Sequence, residues 1–413
     1  MKSTLLFILL MACVAFPANA LPQTSTSSVA NFVETKLTSP DPQRGDQFGQ
    51  AVAIQGNIAV VGAPFEASLG FGTGAAYVFQ KTTTGWQLHQ ILKAHDASRA
   101  SFFGMSVAID GDRIVVGASG EPNVDVGAGA AYVFVRVGTE WTPEAKLIGS
   151  ENSAFDSFGF SVAIKGDRIV CGAYGNSDPD QTERGSAYVF RRIGGLWLQQ
   201  QVLNANDGAS LARFGMSVAM NDDTIAVGGD GDSQLGFYSG AVYIFTFDGS
   251  NWTQQQKLHA HDAQAGSSFG FHLAMSRETI VIGAPQDQVG NHTLGAAYIF
   301  TRGSTGWTQD RKLVAKDSDA FDGFGLRVGI DGDTIVVGSV IDHDAAMSGG
   351  AAYVYKRNGQ SGWSLLEKLF ASDAAREDTF GFGVAVSNNT VLVGAFQKSD
   401  VAFLAGAAYI FEF

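Results

Sequence analysis

Eight carboxylates stand out by type and spacing: Glu121 with Asp125, Asp178 with Asp180, Asp230 with Asp232, and Asp342 with Asp344. They sit in short polar stretches between apolar runs, where a chain turns rather than packs. Carboxylates gathered on one loop suit a hard cation such as Ca²⁺, or a cationic partner. Calcium takes about six to eight oxygens, and Asp230-Gly231-Asp232 opens like a calcium loop but lacks the later ligands. The eight are therefore read as binding-rim candidates, with solubility charge as the competing reading; no metal ligand and no catalytic residue is assigned. Aromatics stand near some of them: Phe65, Phe71, Tyr174, Phe237, Tyr238, Phe396 and Phe403. Aromatic faces beside carboxylates suit glycan or protein contact, or else they plug the loops from within.

Other short motifs carry less. Gly266-Ser267-Ser268-Phe269-Gly270 fits a nucleophile-elbow pattern, but that elbow needs a strand-to-helix turn, and here a strand follows. Arg44-Gly45-Asp46 spells an adhesive tripeptide, yet Asp46 falls where Asp156, Asp322 and Asp378 also fall, two residues before a Phe. His259 and His261 read as surface decoration. Asn251, Asn291 and Asn388 begin glycosylation sequons, which matter only in a eukaryotic secretory host. Single-copy His272 and His343, the latter beside Asp342 and Asp344, are the first residues to test for catalysis.

The elements that must position these residues come from repetition. Phe-Gly recurs at Phe48, Phe103, Phe158, Phe214, Phe269, Phe324 and Phe380, in steps of 55 or 56 residues. Fourteen residues after each Phe comes a Gly, from Gly62 to Gly394. Such a period means one structural unit used many times. Four segments rich in Val, Ile and aromatics make up each unit, as in Phe103 to Ile109, Ile114 to Ala118, Gly129 to Phe134 and Trp141 to Leu147. These are strand signals, and no segment keeps a helical period. The turns between the first two segments are very short, as at Asp110-Gly111-Asp112, so each unit is a four-stranded antiparallel meander. The strands are apolar on nearly every position, so neighbouring units must cover both faces, as propeller blades do.

The last unit lacks its fourth segment, and Thr35-Lys36-Leu37 with Asp41 matches Arg311-Lys312-Leu313 with Asp317. The expected fold is all-β: a seven-bladed β-propeller of four-stranded antiparallel blades, the last blade completed by the N-terminal strand. Asn31 stands where the other six copies carry Trp, so that strand is less well anchored.

Composition sets the outer bounds. Lys2, the apolar run Leu5 to Ala15 and Ala18-Asn19-Ala20 read as a signal peptide over residues 1–20. Residues 21–30 read as a flexible leader and 31–413 as the propeller. The expected location is secreted or extracellular, with the periplasm or cell surface as variants, and no membrane span. Past the signal only Cys171 remains, so no internal disulfide forms and stability rests on the core. Charged residues are 16% of the chain, well below the usual quarter or so. The net charge of −13 argues against nucleic acid as a partner. The acids concentrate in the loops of one rim, and the turns of the other are basic.

These residues resemble the FG-GAP repeat, the unit of the integrin alpha-subunit N-terminal propeller. Phe48-Gly49 with Gly62-Ala63-Pro64, and Phe269-Gly270 with Gly283-Ala284-Pro285, carry both halves of the name. The resemblance implies the propeller fold and a stand-alone secreted type. It also implies calcium loops between the first and second strands, but here a tight turn replaces that loop in every copy, so those sites do not carry over. No cofactor is assigned, Ca²⁺ remaining compatible with the acids alone. The expected function is a secreted, non-enzymatic binding or adhesion module that recognises a protein or glycan, cationic by preference, through its acidic rim. The alternatives are a propeller enzyme, hydrolase or lyase, with a site at the channel mouth, and a structural surface or matrix protein.

Overall fold

The computed structural model describes residues 32–176, 184–290, 292–317, 319–359 and 362–413. The expected signal peptide and leader, Asn31, and the sequon residue Asn291 lie outside them. The described residues contain no helix and form seven four-stranded sheets, each a meander of neighbouring antiparallel strands. The first blade comprises Ala51–Gln55, Ile58–Ala63, Ala75–Thr82 and Gly85–Leu92. In the seventh, the strand Val33–Leu37 lies outermost beside Ala407–Glu412, with Val33 opposite Glu412 and Leu37 opposite Ala408. The ring is closed as the sequence predicts. One element was not expected: a small ribbon, Gln288–Val289 against His292–Thr293, stands in the long loop of the fifth blade.

Seven apolar clusters hold the ring, each built from two successive blades. Ile58, Val60, Val78 and Leu92 of the first blade, for example, meet Phe103, Val116, Tyr132 and Trp141 of the second. Phe103 is fully buried and meets Tyr132 edge-on at 5.4 Å. Burying such a ring is worth about 1.5–3 kcal/mol.

The glycines explain why the blades can approach so closely. A Cβ on Gly104 would lie 2.4 Å from the Ala75 carbonyl oxygen, and one on Gly62 would lie 2.1 Å from that of Gly104. Between blades the chain runs as backbone against backbone: Phe103 bridges Gly74, and Phe48 bridges Gly406 across the closure. The residue before each Phe is left-handed in every blade, at Gln47, Phe102, Ser157, Arg213, Ser268, Gly323 and Thr379. A left-handed residue other than glycine costs about 1–2 kcal/mol. Its recurrence in all seven joints marks it as architecture rather than a local active-site device.

On the rim of the short turns, the last residue of an inner strand serves the next blade. Gln55 accepts the Gly111 amide at 2.7 Å, Asp110 accepts that of Gly166 at 2.8 Å, and Ser387 accepts that of Gly56 at 3.1 Å. The inner strands contact one another around the ring and so line its axis.

Candidate functional site

The rim opposite the short turns carries the loops between second and third strands and the crossings between blades. The structure divides the eight acids there. Glu121, Asp230, Asp232 and Asp342 are 3%, 0%, 2% and 1% exposed. They are tied inward rather than displayed. Asp125 and Asp344 are exposed, and Asp178 and Asp180 lie outside the described residues. Asp125 caps the Val126 amide at 2.8 Å.

A recurring tether holds the inward acids. A lysine on the outer strand and a tyrosine on the third strand reach one acid from the blade crossing and one from the loop. In the fifth blade Lys312 lies 2.7 Å from Asp262 and 2.6 Å from Asp287, while Tyr298 donates to the same two at 2.9 and 2.7 Å. In the sixth, Lys368 reaches Asp317, Asp342 and Asp344 at 2.9, 2.7 and 2.5 Å. In the fourth, Lys257 reaches Asp207 at 2.7 Å and Asp232 at 2.8 Å, with Tyr243 on Asp232 at 3.0 Å. In the second, Lys146 reaches Asp96 at 2.5 Å and Glu121 at 3.2 Å. At the closure Lys36 pairs with Asp373 and Asp400, and Tyr409 donates to Asp373 at 2.7 Å. The repeated crossing acids thus join neighbouring blades as well as shaping turns.

The tethers set the charge states. Burial would raise Asp232, but hydrogen bonds from Lys257, the Gln234 amide and Tyr243 outweigh it and hold the carboxyl below its usual range. At Asp342 and Asp230 burial prevails and the pKa is raised, against Lys368 and Arg213 respectively. Arg213 Nε lies 3.0 Å from Asp230.

The adhesive tripeptide is spent on a joint. Asp46 is 1% exposed, accepts the Gln43 amide at 2.8 Å, and is pushed up to about 6 by burial. The Gly45 amide donates to the Phe403 carbonyl at 2.9 Å, and Arg44 lies over the Phe403 ring. Cys171 is wholly buried, and burial raises its thiol pKa. His343 is exposed, with Nδ1 on the Ile341 carbonyl and 3.9 Å from Asp322. His272 lies on an inner strand, with Nδ1 accepting the Val328 amide at 3.3 Å.

The aromatics also divide. Phe65, Tyr174 and Phe396 are half-buried against Phe102, Phe160 and Phe382, at 5.0, 4.7 and 4.3 Å between ring centroids. They are plugs. Phe71, Phe237 and Phe403 are 57%, 72% and 56% exposed. Leu69, Val124, Val126, Leu235, Met347 and Val401 are exposed with them. All stand three or five residues before the glycine that opens a third strand, in five of the blades. Sequence reasoning caught the aromatics of this belt and missed the aliphatics, although the shared offset from that glycine is legible. A hollow of ≈380 Å³ opens beside the belt, lined by Asp207, Ala209, Asp232, Ser233, Gln234 and Lys257. Among the described residues no three His, Cys, Asp or Glu side chains gather as a metal would require, and no helix is long and apolar enough to cross a membrane.

Seven blades of four antiparallel strands, joined by Phe-Gly backbone bridges, define a closed β-propeller. The FG-GAP repeat family model matches residues 32–79, 86–134, 141–190, 197–245, 252–300, 307–355 and 363–411, and the chain belongs to that family. No curated protein matches it.

Proposed function

We propose that the protein is a secreted, non-enzymatic binding module that takes a protein or glycan partner on the loop rim. The observation that carries this reading is the belt of exposed apolar side chains set at equivalent loop positions, with Asp125, Asp344 and Asp400 exposed among them. Solvent-facing apolar groups arranged over several blades suit a contact surface better than a solubilising one. The exposed acids favour a partner with cationic groups around an apolar face. The tethers fix the loops on the blades, so the surface is organised before a partner arrives.

The test is a binding screen against glycans and basic peptides, followed by the triple variant Phe71→Ser, Phe237→Ser, Phe403→Ser. These side chains are exposed, so the unfolding midpoint should hold. Affinity for a ligand found in the screen should fall by about tenfold or more. Unchanged affinity in the triple variant would remove the rim from the reading.

A further inference from the structure

The third residue after each repeated Phe begins the run of the inner strand: Ala51, Ser106, Ser161, Ser217, His272, Arg327 and Gly383. Three serines use this place to bond the next blade. Ser106, Ser161 and Ser217 donate to the Gly159, Gly215 and Gly270 carbonyls at 2.8, 2.9 and 2.8 Å. Two neighbouring blades carry larger groups instead, His272 in the fifth and Arg327 in the sixth.

Among the described residues, Arg327 is a cation without a counter-ion. Its guanidinium lies between two half-buried rings, 5.5 Å from the Phe271 centroid and 4.7 Å from that of Phe382. Its hydrogen bond to protein runs from Nη1 to the adjacent Leu326 carbonyl at 3.1 Å. Nε–H and Nη2–H meet no acceptor among the described residues, and no carboxylate there pairs with it. Burial lowers its pKa to about 10, so it keeps its charge at neutral pH. The rim tethers at Arg213 and Lys312, by contrast, end on acids. The side chain is half-buried, so its free edge is open to solvent, and two aromatic faces supply only about 0.5–2 kcal/mol.

The Nε/Nη2 edge is the side of a guanidinium that receives both oxygens of a carboxylate. Nη1 is already committed to Leu326, which leaves that edge free. His272 stands on the neighbouring strand, where burial first and the Arg327 charge second lower its pKa to about 3 and keep the imidazole neutral. Because Nδ1 accepts the Val328 amide, the ring proton sits on Nε2, a further donor. Phe271 and Phe382 wall the place with apolar surface. We propose that the axis of the propeller holds a binding site for a small organic monocarboxylate, received by the Nε/Nη2 edge of Arg327 beside His272 and between Phe271 and Phe382. One guanidinium balances one negative charge, and the rings favour a carboxylate with a compact apolar body. None of the belt side chains lines this site, although its wall Phe382 packs on the rim plug Phe396 at 4.3 Å.

The experiment titrates the whole protein with benzoate and acetate at constant ionic strength, with chloride as control. Calorimetry gives the affinity, and the imidazole NMR signals of His272 report the place. Saturable benzoate binding that moves the His272 signals is expected, with affinity at least about tenfold lower in Arg327→Lys, which keeps the charge but loses the fork. Arg327→Met should abolish binding; if it fails to fold, Arg327→Lys alone decides. Equal affinity in Arg327→Lys, no saturable binding, or chloride competing as well as benzoate would each overturn the assignment.

Discussion

In the fifth blade Tyr298 and Lys312 hold two carboxylates, Asp262 and Asp287. In the third blade the same four places carry Tyr188, Val202, Glu151 and Asn176. Lysine and loop acid are absent together. Tyr188 meets Asn176 at 3.3 Å, and Asn176 turns to Asp156 at 2.9 Å. Glu151 is exposed. Both blades keep the same four-stranded sheet. The charged tether is thus a device a blade can vary: the third blade drops both halves, whereas the first carries Ile91 at the lysine's place and holds Glu66 from Lys93 at 3.2 Å instead. A buried pair contributes little beyond a packed neutral substitute, whereas half a pair is costly.

That comparison breaks most visibly at Lys312→Met, which leaves Asp287, 0% exposed, without its cation. The expected loss is about 3 kcal/mol in urea unfolding. The double replacement Lys312→Val with Asp287→Asn copies the third blade and should recover most of it, a coupling that a mutant cycle measures directly. A single variant as mild as the double would dissolve the contrast. The converse change, Asn176→Asp, places a carboxylate next to buried Asp156 with no lysine in reach. It should cost about 1–2 kcal/mol, and adding Val202→Lys should offset it.

Acid sharpens the comparison with the smallest effect. Burial would raise Asp262, but the Lys312 and Tyr298 hydrogen bonds prevail and lower it below 3.8. A carboxyl lowered by folding adds stability that is complete above its unfolded pKa and is lost as pH falls through the folded value. Asp156 is raised by burial, against its hydrogen bonds, so its charge works against folding as pH climbs past the unfolded value. The difference in urea midpoint between the native chain and Lys312→Met should therefore narrow below about pH 4. A difference that stays constant down to about pH 2.5 would mean that these carboxylates do not carry it.

The ring was legible because its spacing is strict. Lys36, Leu37 and Asp41 repeat the order of Lys312, Leu313 and Asp317, and they do close the last blade. The rim was less legible for a physical reason. Lys312 and Asp287 are 25 residues apart and on different elements, so nothing local announces that they meet. Glu121, Asp232 and Asp342 looked like surface variation when read one loop at a time. Their inward role follows from the lysine five residues after Trp141, Trp252, Trp307 and Trp363, and from its loss alongside the acid in the third blade. Phe71 and Phe65 carry the same letter in one loop, but only the packing against Phe102 separates a plug from a contact.

The pairing of Val33–Leu37 with Ala407–Glu412 also constrains how the molecule is made. Lys36 and its partner Asp373 are separated by 337 residues. At about 5–20 residues per second, a ribosome needs tens of seconds to deliver the second after the first. Throughout that interval the earliest strand has no mate, while six complete blades accumulate beside it. Anything that occupied its edge meanwhile, including the same strand of another nascent chain, would leave a ring that cannot shut.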